Sequence, residues 1–124
     1  MNLISRIPKD FYKVVGSKYM EFYMQFLVAV YEESSQSYSL LGLTEGECQA
    51  IMNEQLARMT LDWSEERFDE EEELLTRSNM AMISLRHFED WGWLRRDYDE
   101  TLNSYVVSFP EYSQLYVELF RNLY

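Results

Sequence analysis

Two side chains in this sequence could do chemistry by type alone: the single cysteine, Cys48, and the single histidine, His87. A thiol attacks when its surroundings lower its pKa, and an imidazole acts as a base when it lies within hydrogen-bond reach of a nucleophile. No thiol is near His87 in sequence, and the many serines and acids define no Ser-His-Asp set by their spacing. His87 is therefore read as a surface or capping histidine, and Cys48 as a small core residue on a helix. A lone cysteine builds neither a disulfide framework nor a Cys/His zinc site, and a reducing cytoplasm is its simplest compartment. The four glycines are scattered and frame no phosphate loop. No catalytic residue, metal ligand or cofactor is expected.

Charge narrows the partners. The stretch "DWSEERFDEEEE", Asp62 to Glu73, holds eight acids and one arginine in a chain of formal charge −11. A calcium-binding EF-hand loop alternates oxygen ligands around a bend glycine that this run lacks, so the run reads as a solvated linker. Such a balance opposes a polyanion and favours solubility or a basic partner. Arg86, Arg95 and Arg96, with Arg77, run against that trend. They form a candidate basic patch around a wing, or else pair with nearby acids such as Glu89, Asp97 and Asp99. Trp91 and Trp93 read as anchors of that wing on the core rather than as base-stacking groups.

These residues must be placed by a small set of elements. Pro8 suits the first turn of a short helix that Gly16 stops, and Ser17 can cap the next. That next helix, from about Lys18 to Glu33, confines Lys18, Glu21, Gln25 and Glu32 to one narrow stripe. Its apolar arc covers roughly 260° where a one-sided surface helix needs about 100°, so two faces are buried. Met20, Met24, Val28 and Tyr31 on this helix are the candidate dimer or partner interface, or else lie under the terminal helices. "LLGL" suggests a short strand, and "TEGE" at Thr44 to Glu47 has the spacing of a capping box. It opens a helix to about Met59 with Cys48, Ile51, Met52, Leu56 and Met59 inward.

A further helix is expected over Leu74 to Trp91, with Leu74, Ala81, Leu85 and Phe88 on one face and Gly92 as a left-handed stop. "WLRRDY" and "YVVSF" then make a hairpin around the polar "DETLNS". Pro110 begins a last helix with Tyr112, Leu115, Tyr116, Leu119, Phe120 and Leu123 on one side. The longest apolar run, "FLVAVY", is far short of the ~20 residues that span a bilayer, and no signal-peptide core precedes it. The expected fold is mostly α with a small β-hairpin wing. It is a single winged-helix domain over 1–124 with additional N- and C-terminal helices, soluble and without a membrane partner.

Two stretches carry a resemblance: "ISRIPKDFYKVVGSKYMEFYMQFLVAVYEE" near the start and "AMISLRHFEDWGWLRRDYDETLNSYVVSFPEYS" near the end. Their features are an Ile-Pro pair before a Phe-Tyr pair, a helix ending in Gly-Trp, and a wing strand closing in "FPEY". Over Leu3 to Ser113, though not in residues 36 to 76, the chain resembles the N-terminal winged-helix region of the Wadjet JetA family. The resemblance implies a kleisin-like, MukF-like subunit of an SMC-type, condensin-like complex in bacterial defence against plasmids. Its implied partners are a second copy of the winged helix, an SMC-type ATPase and an accessory winged-helix subunit. Its implied location is the cytoplasm, at nucleoid or plasmid. Family chains are several times longer, so this chain is expected to be the N-terminal fragment of a longer protein.

The expected function is therefore non-enzymatic dimerisation and scaffolding. The alternative is a winged-helix transcriptional regulator that binds DNA through Arg86, Arg95 and Arg96. Direct DNA binding is disfavoured by spacing, because a helix-turn-helix joins its helices by about 3–4 residues. Here residues 60 to 73 intervene, and Glu70 to Glu73 sit where phosphates would come.

Overall fold

The computed structural model describes residues 2–36, 42–59, 67–69 and 73–123. Two 3₁₀ turns, Leu3–Arg6 and Lys9–Tyr12, lead into the single-turn helix α1, Lys13–Gly16. The Ser17 hydroxyl accepts the Tyr19 N–H at 2.9 Å, which turns the chain into the long helix α2, Met20–Gln36. Strand β1, Leu43–Thr44, runs directly into α3, Glu45–Arg58. The expected capping box joins them: Thr44 Oγ1 accepts the Glu47 N–H at 3.1 Å, and Glu47 Oε1 accepts the Thr44 N–H at 2.9 Å. Leu40 and Leu41 of the expected "LLGL" strand lie outside the described residues.

The helix expected from Leu74 starts later. Leu74–Leu75 form β3, paired antiparallel with β2, Arg67–Phe68, and α4 runs only from Met80 to Asp90. Asn79 explains the delay. Its Oδ1 accepts the Thr76 N–H at 2.7 Å and its Nδ2 donates to the Leu74 carbonyl at 2.9 Å, folding residues 76–79 into a turn. Short polar side chains that bind nearby backbone in this way compete with the helix ladder. Leu74 is consequently exposed, and Leu75 takes the buried place.

Strands β4, Arg95–Asp99, and β5, Ser104–Ser108, form the expected hairpin. With β1 they make an antiparallel sheet of order β1-β5-β4, in which Val107 faces Leu43 on one side and Arg96 on the other. Helix α5, Glu111–Arg121, follows Pro110. The core is one cluster. Tyr23, Phe26 and Leu27 of α2 meet Met52 and Leu56 of α3, Leu85 and Phe88 of α4, and Val117 and Phe120 of α5.

The wing root is a single knot of aromatic and backbone contacts. After α4 the chain turns at Gly92, with φ +88, while the N–H groups of Trp93 and Leu94 return to the Phe88 carbonyl at 2.8 and 3.1 Å. A Cβ on Gly92 would stand 2.4 Å from Pro8 Cγ, so the left-handed turn and the close approach both require glycine. Trp93 is fully buried, stacks on Phe11 with centroids 3.7 Å apart, and donates from Nε1 to the Phe11 carbonyl at 2.7 Å. The Tyr112 hydroxyl donates to the Gly92 carbonyl at 3.0 Å, and the Ser113 hydroxyl to the Trp93 carbonyl at 2.7 Å. The Ile-Pro, Phe-Tyr, Gly-Trp and "FPEY" motifs, remote in sequence, thus meet at one point.

This knot also fixes the rotation of α5, and it corrects the face expected for that helix. With Ser113 bound to the wing root, Ser113, Val117 and Phe120 point inward. Tyr112 and Tyr116 are half-buried, whereas Leu115, Leu119 and Leu123 are turned out at 58, 55 and 66 % exposure.

Candidate functional site

His87 is not at the surface. It is almost completely enclosed, its ring 4.4 Å from that of Trp91, and its Nε2 lies 2.9 Å from Oδ2 of the equally buried Asp69. Asp69 also organises its own turn: its Oδ1 accepts the Glu73 N–H at 2.7 Å, and its N–H donates to the Glu73 carbonyl at 2.9 Å. One carboxylate of the acidic run is therefore a structural plug rather than part of a solvated linker. Residues 62–66 and 70–72 of that run lie outside the described residues. Ser84, three residues before His87 on α4, is buried with a hydroxyl that makes no hydrogen bond. With His87 and Asp69 both buried, the pair ties the β2–β3 hairpin to α4.

Cys48 is fully buried on α3, and burial, reinforced by Glu47, Glu89 and Glu45, pushes its thiol up to about 12. A thiol so placed stays protonated and does not attack.

A second cluster joins α3, α4 and the wing. Glu89, at the end of α4, has its carboxyl pushed up to about 8 by burial first, then by a hydrogen bond to Glu45 and by the charge of Glu45, with Arg96 opposing. One of its oxygens is enclosed without a hydrogen-bond partner. Arg96 reaches Glu45 at 3.6 Å and lies over the Tyr105 ring at 3.7 Å. The folded chain holds the Glu89 proton more tightly than the unfolded chain, whose carboxyl titrates near 4.5. The stabilisation is therefore complete below about pH 4.5 and is lost as pH rises through about 8.

Glu89→Gln, which stays neutral, should match the parent at low pH and exceed it by about 1–3 kcal/mol above the folded pKa. That gain is smaller than the whole shift, because the carboxyl keeps part of its hydration. Urea midpoints measured on both sides of the transition check this, and parallel pH profiles for parent and variant would contradict it.

Two of the wing arginines are engaged by acids. Arg86 on α4 pairs with Glu73, and Arg96 is held by Glu45 and Tyr105 with Glu89 in its field, so of the expected acidic neighbours Glu89 is the one that Arg96 acts on. Arg95 is exposed at the start of β4. Trp91 and Trp93 are both buried and offer no ring to a base. Along α2, Met24 is 7 % exposed within the core, and Tyr31 packs edge-on against Phe109 at 5.4 Å. A hydrogen bond to Glu118 of α5 and burial raise the Tyr31 pKa. Met20 and Val28 keep more surface.

Exposed apolar side chains are scattered over the domain, Ile4, Val15, Met82 and Leu102 among them, and three leucines are grouped at α5. Leu115 and Leu119 are one turn apart on one side of α5, and Leu123 follows just past its end. Tyr112 and Tyr116 share that side, leaving its centre without formal charge, with Glu111 and Glu118 along one edge. Among the described residues no group of three or more metal-ligating side chains occurs, and no helix is long and apolar enough to cross a membrane.

The geometry thus defines a mostly α domain with a β-hairpin wing, its wing root locked by aromatic residues and its last helix presenting leucine to solvent. Within that class, the chain belongs to the family of Wadjet protein JetA, whose family model matches residues 29–124. No curated protein and no solved structure matches it. The match begins inside α2, so Pro8 and Phe11 lie outside it, although in the fold they close on Gly92 and Trp93 within it.

Proposed function

We propose that this domain is a non-enzymatic dimerisation and scaffolding module, the winged-helix region of a kleisin-like subunit in a condensin-like SMC complex of anti-plasmid defence. The observation that carries the reading is the uncharged leucine stripe of α5 on a chain of formal charge −11. Two copies of an acidic chain repel over most of their surface, and an uncharged apolar stripe is where they can meet at least cost. Of the α2 positions, Met20 offers further contact surface, while Tyr31 holds α5 in place through Glu118. An SMC-type ATPase and an accessory winged-helix subunit are the remaining proposed partners, in the bacterial cytoplasm. DNA reading by the wing is disfavoured, because Arg86 and Arg96 are engaged by carboxylates.

The double substitution Leu115→Glu, Leu119→Glu places charge on the stripe without touching the core. Sedimentation velocity should then show monomer where the parent is dimeric, with an unchanged helical spectrum. An equally dimeric variant would remove α5 as the contact. Steeply salt-dependent duplex binding by the parent, abolished by Arg95→Ala with Arg96→Ala, would favour the regulator instead.

A further inference from the structure

A second surface lies on the other side of α2. Between α2 and α3 runs an open groove of ≈ 360 Å³ whose apolar floor is Val28, Ala29 and Ile51. One end is bridged by the amides of Gln55 and Gln25, 3.1 Å apart. Glu32, Glu33 and Glu54 stand along the rim. The cations nearby are fewer and shared: Arg58 sits on Glu54 at 3.0 Å, and Arg121 divides itself between Glu32 at 3.4 Å and Glu118 at 3.6 Å. These are exposed pairs, which contribute little and exchange easily with an incoming cation.

We infer that this groove is a docking site for a basic amphipathic helix of a partner protein, its apolar residues entering between α2 and α3 and its Lys or Arg side chains meeting the rim. The floor lies between two helices, a groove of the kind that takes helical anchors spaced at i, i+3 or i+4, and i+7. Charge selects the occupant. A second copy of this chain brings like charge to an acidic rim, and nucleic acid is repelled outright, whereas cations on both flanks of an apolar face complement it. The site stands apart from the α5 stripe, so one molecule can pair through α5 and hold a partner helix in this groove at once.

The test uses the intact chain and a fluorescein-labelled helical peptide with leucine at the anchor spacing and lysine on its flanks. A second peptide carries glutamate in place of lysine. Anisotropy should show saturable binding of the lysine peptide only, weakening as salt rises, and amide shifts on titration should cluster on α2 and α3. Glu33→Lys with Glu54→Lys changes exposed positions alone and should weaken binding by at least ~10-fold. Leu115→Glu with Leu119→Glu should leave it unchanged, which separates failure of the α5 contact from failure of the groove. The inference is overturned if the lysine peptide does not bind, if the charge-reversed variant binds it equally, or if the shifted amides lie elsewhere.

Discussion

Trp93→Ala should destabilise the domain by about 3–5 kcal/mol, the loss typical of a large buried aromatic reduced to a methyl group. Trp93 does more than fill space. Its ring carries Phe11 in a stack, its Nε1 satisfies the Phe11 carbonyl, and its own carbonyl receives the Ser113 hydroxyl that sets the rotation of α5. Removing it opens a cavity, orphans a buried carbonyl and loosens the N-terminal turns together. Since small domains are stable by only about 5–15 kcal/mol, the variant is expected at the edge of folding. Trp93→Phe separates the contributions: it keeps a ring against Phe11 but loses the donor, and should cost about 1–3 kcal/mol for the unsatisfied carbonyl beyond any loss of packing. Urea denaturation of both variants checks the ordering. An alanine variant within 1 kcal/mol of the parent would mean that the wing root is not the lock described.

Asp69→Ala should cost roughly 2–4 kcal/mol, because it removes a buried carboxylate from two hydrogen bonds, each costing about 1–3 kcal/mol when broken. His87 would lose the carboxylate oxygen 2.9 Å away, and the Glu73 N–H would lose its acceptor. Asp69→Asn, similar in shape, should lose less. Hydrogen exchange supplies the local readout: amides of β3 and the first turn of α4 should exchange faster in the alanine variant, while those of α5 follow only the global change. Eight acids occupy the run from Asp62 to Glu73, and substituting exposed Glu73 instead should remain within about 1 kcal/mol. Equal effects at positions 69 and 73 would contradict a specific role for Asp69.

Much of the architecture was legible in the chain. Thr44 and Glu47 announce their capping box by spacing, Gly92 its left-handed turn, and the "DETLNS" stretch the hairpin, because each depends on residues near in sequence. What could not be read depends on distant partners. Asp69 looks like its acidic neighbours until His87 arrives from α4. The one local hint was Phe68 beside it, an apolar residue among carboxylates. Leu74 fits the helical period of α4, while the Asn79 contacts that delay the helix leave no trace in that pattern. On α5 the every-fourth leucines were visible. Their direction was not, since Val117 and Tyr124 widen the apolar arc and only the Ser113 bond to the wing root chooses which part faces inward. Likewise the acids of the α2–α3 groove come from two helices, so neither stretch alone shows a rim.

The most direct test of the central claim is the absolute mass of the chain by light scattering after size exclusion, over a roughly tenfold dilution series. Dimerisation through α5 gives twice the 15.0 kDa chain mass, held across the series and halved by Leu115→Glu with Leu119→Glu. A parent chain that remains at 15.0 kDa at every concentration would contradict dimerisation through α5.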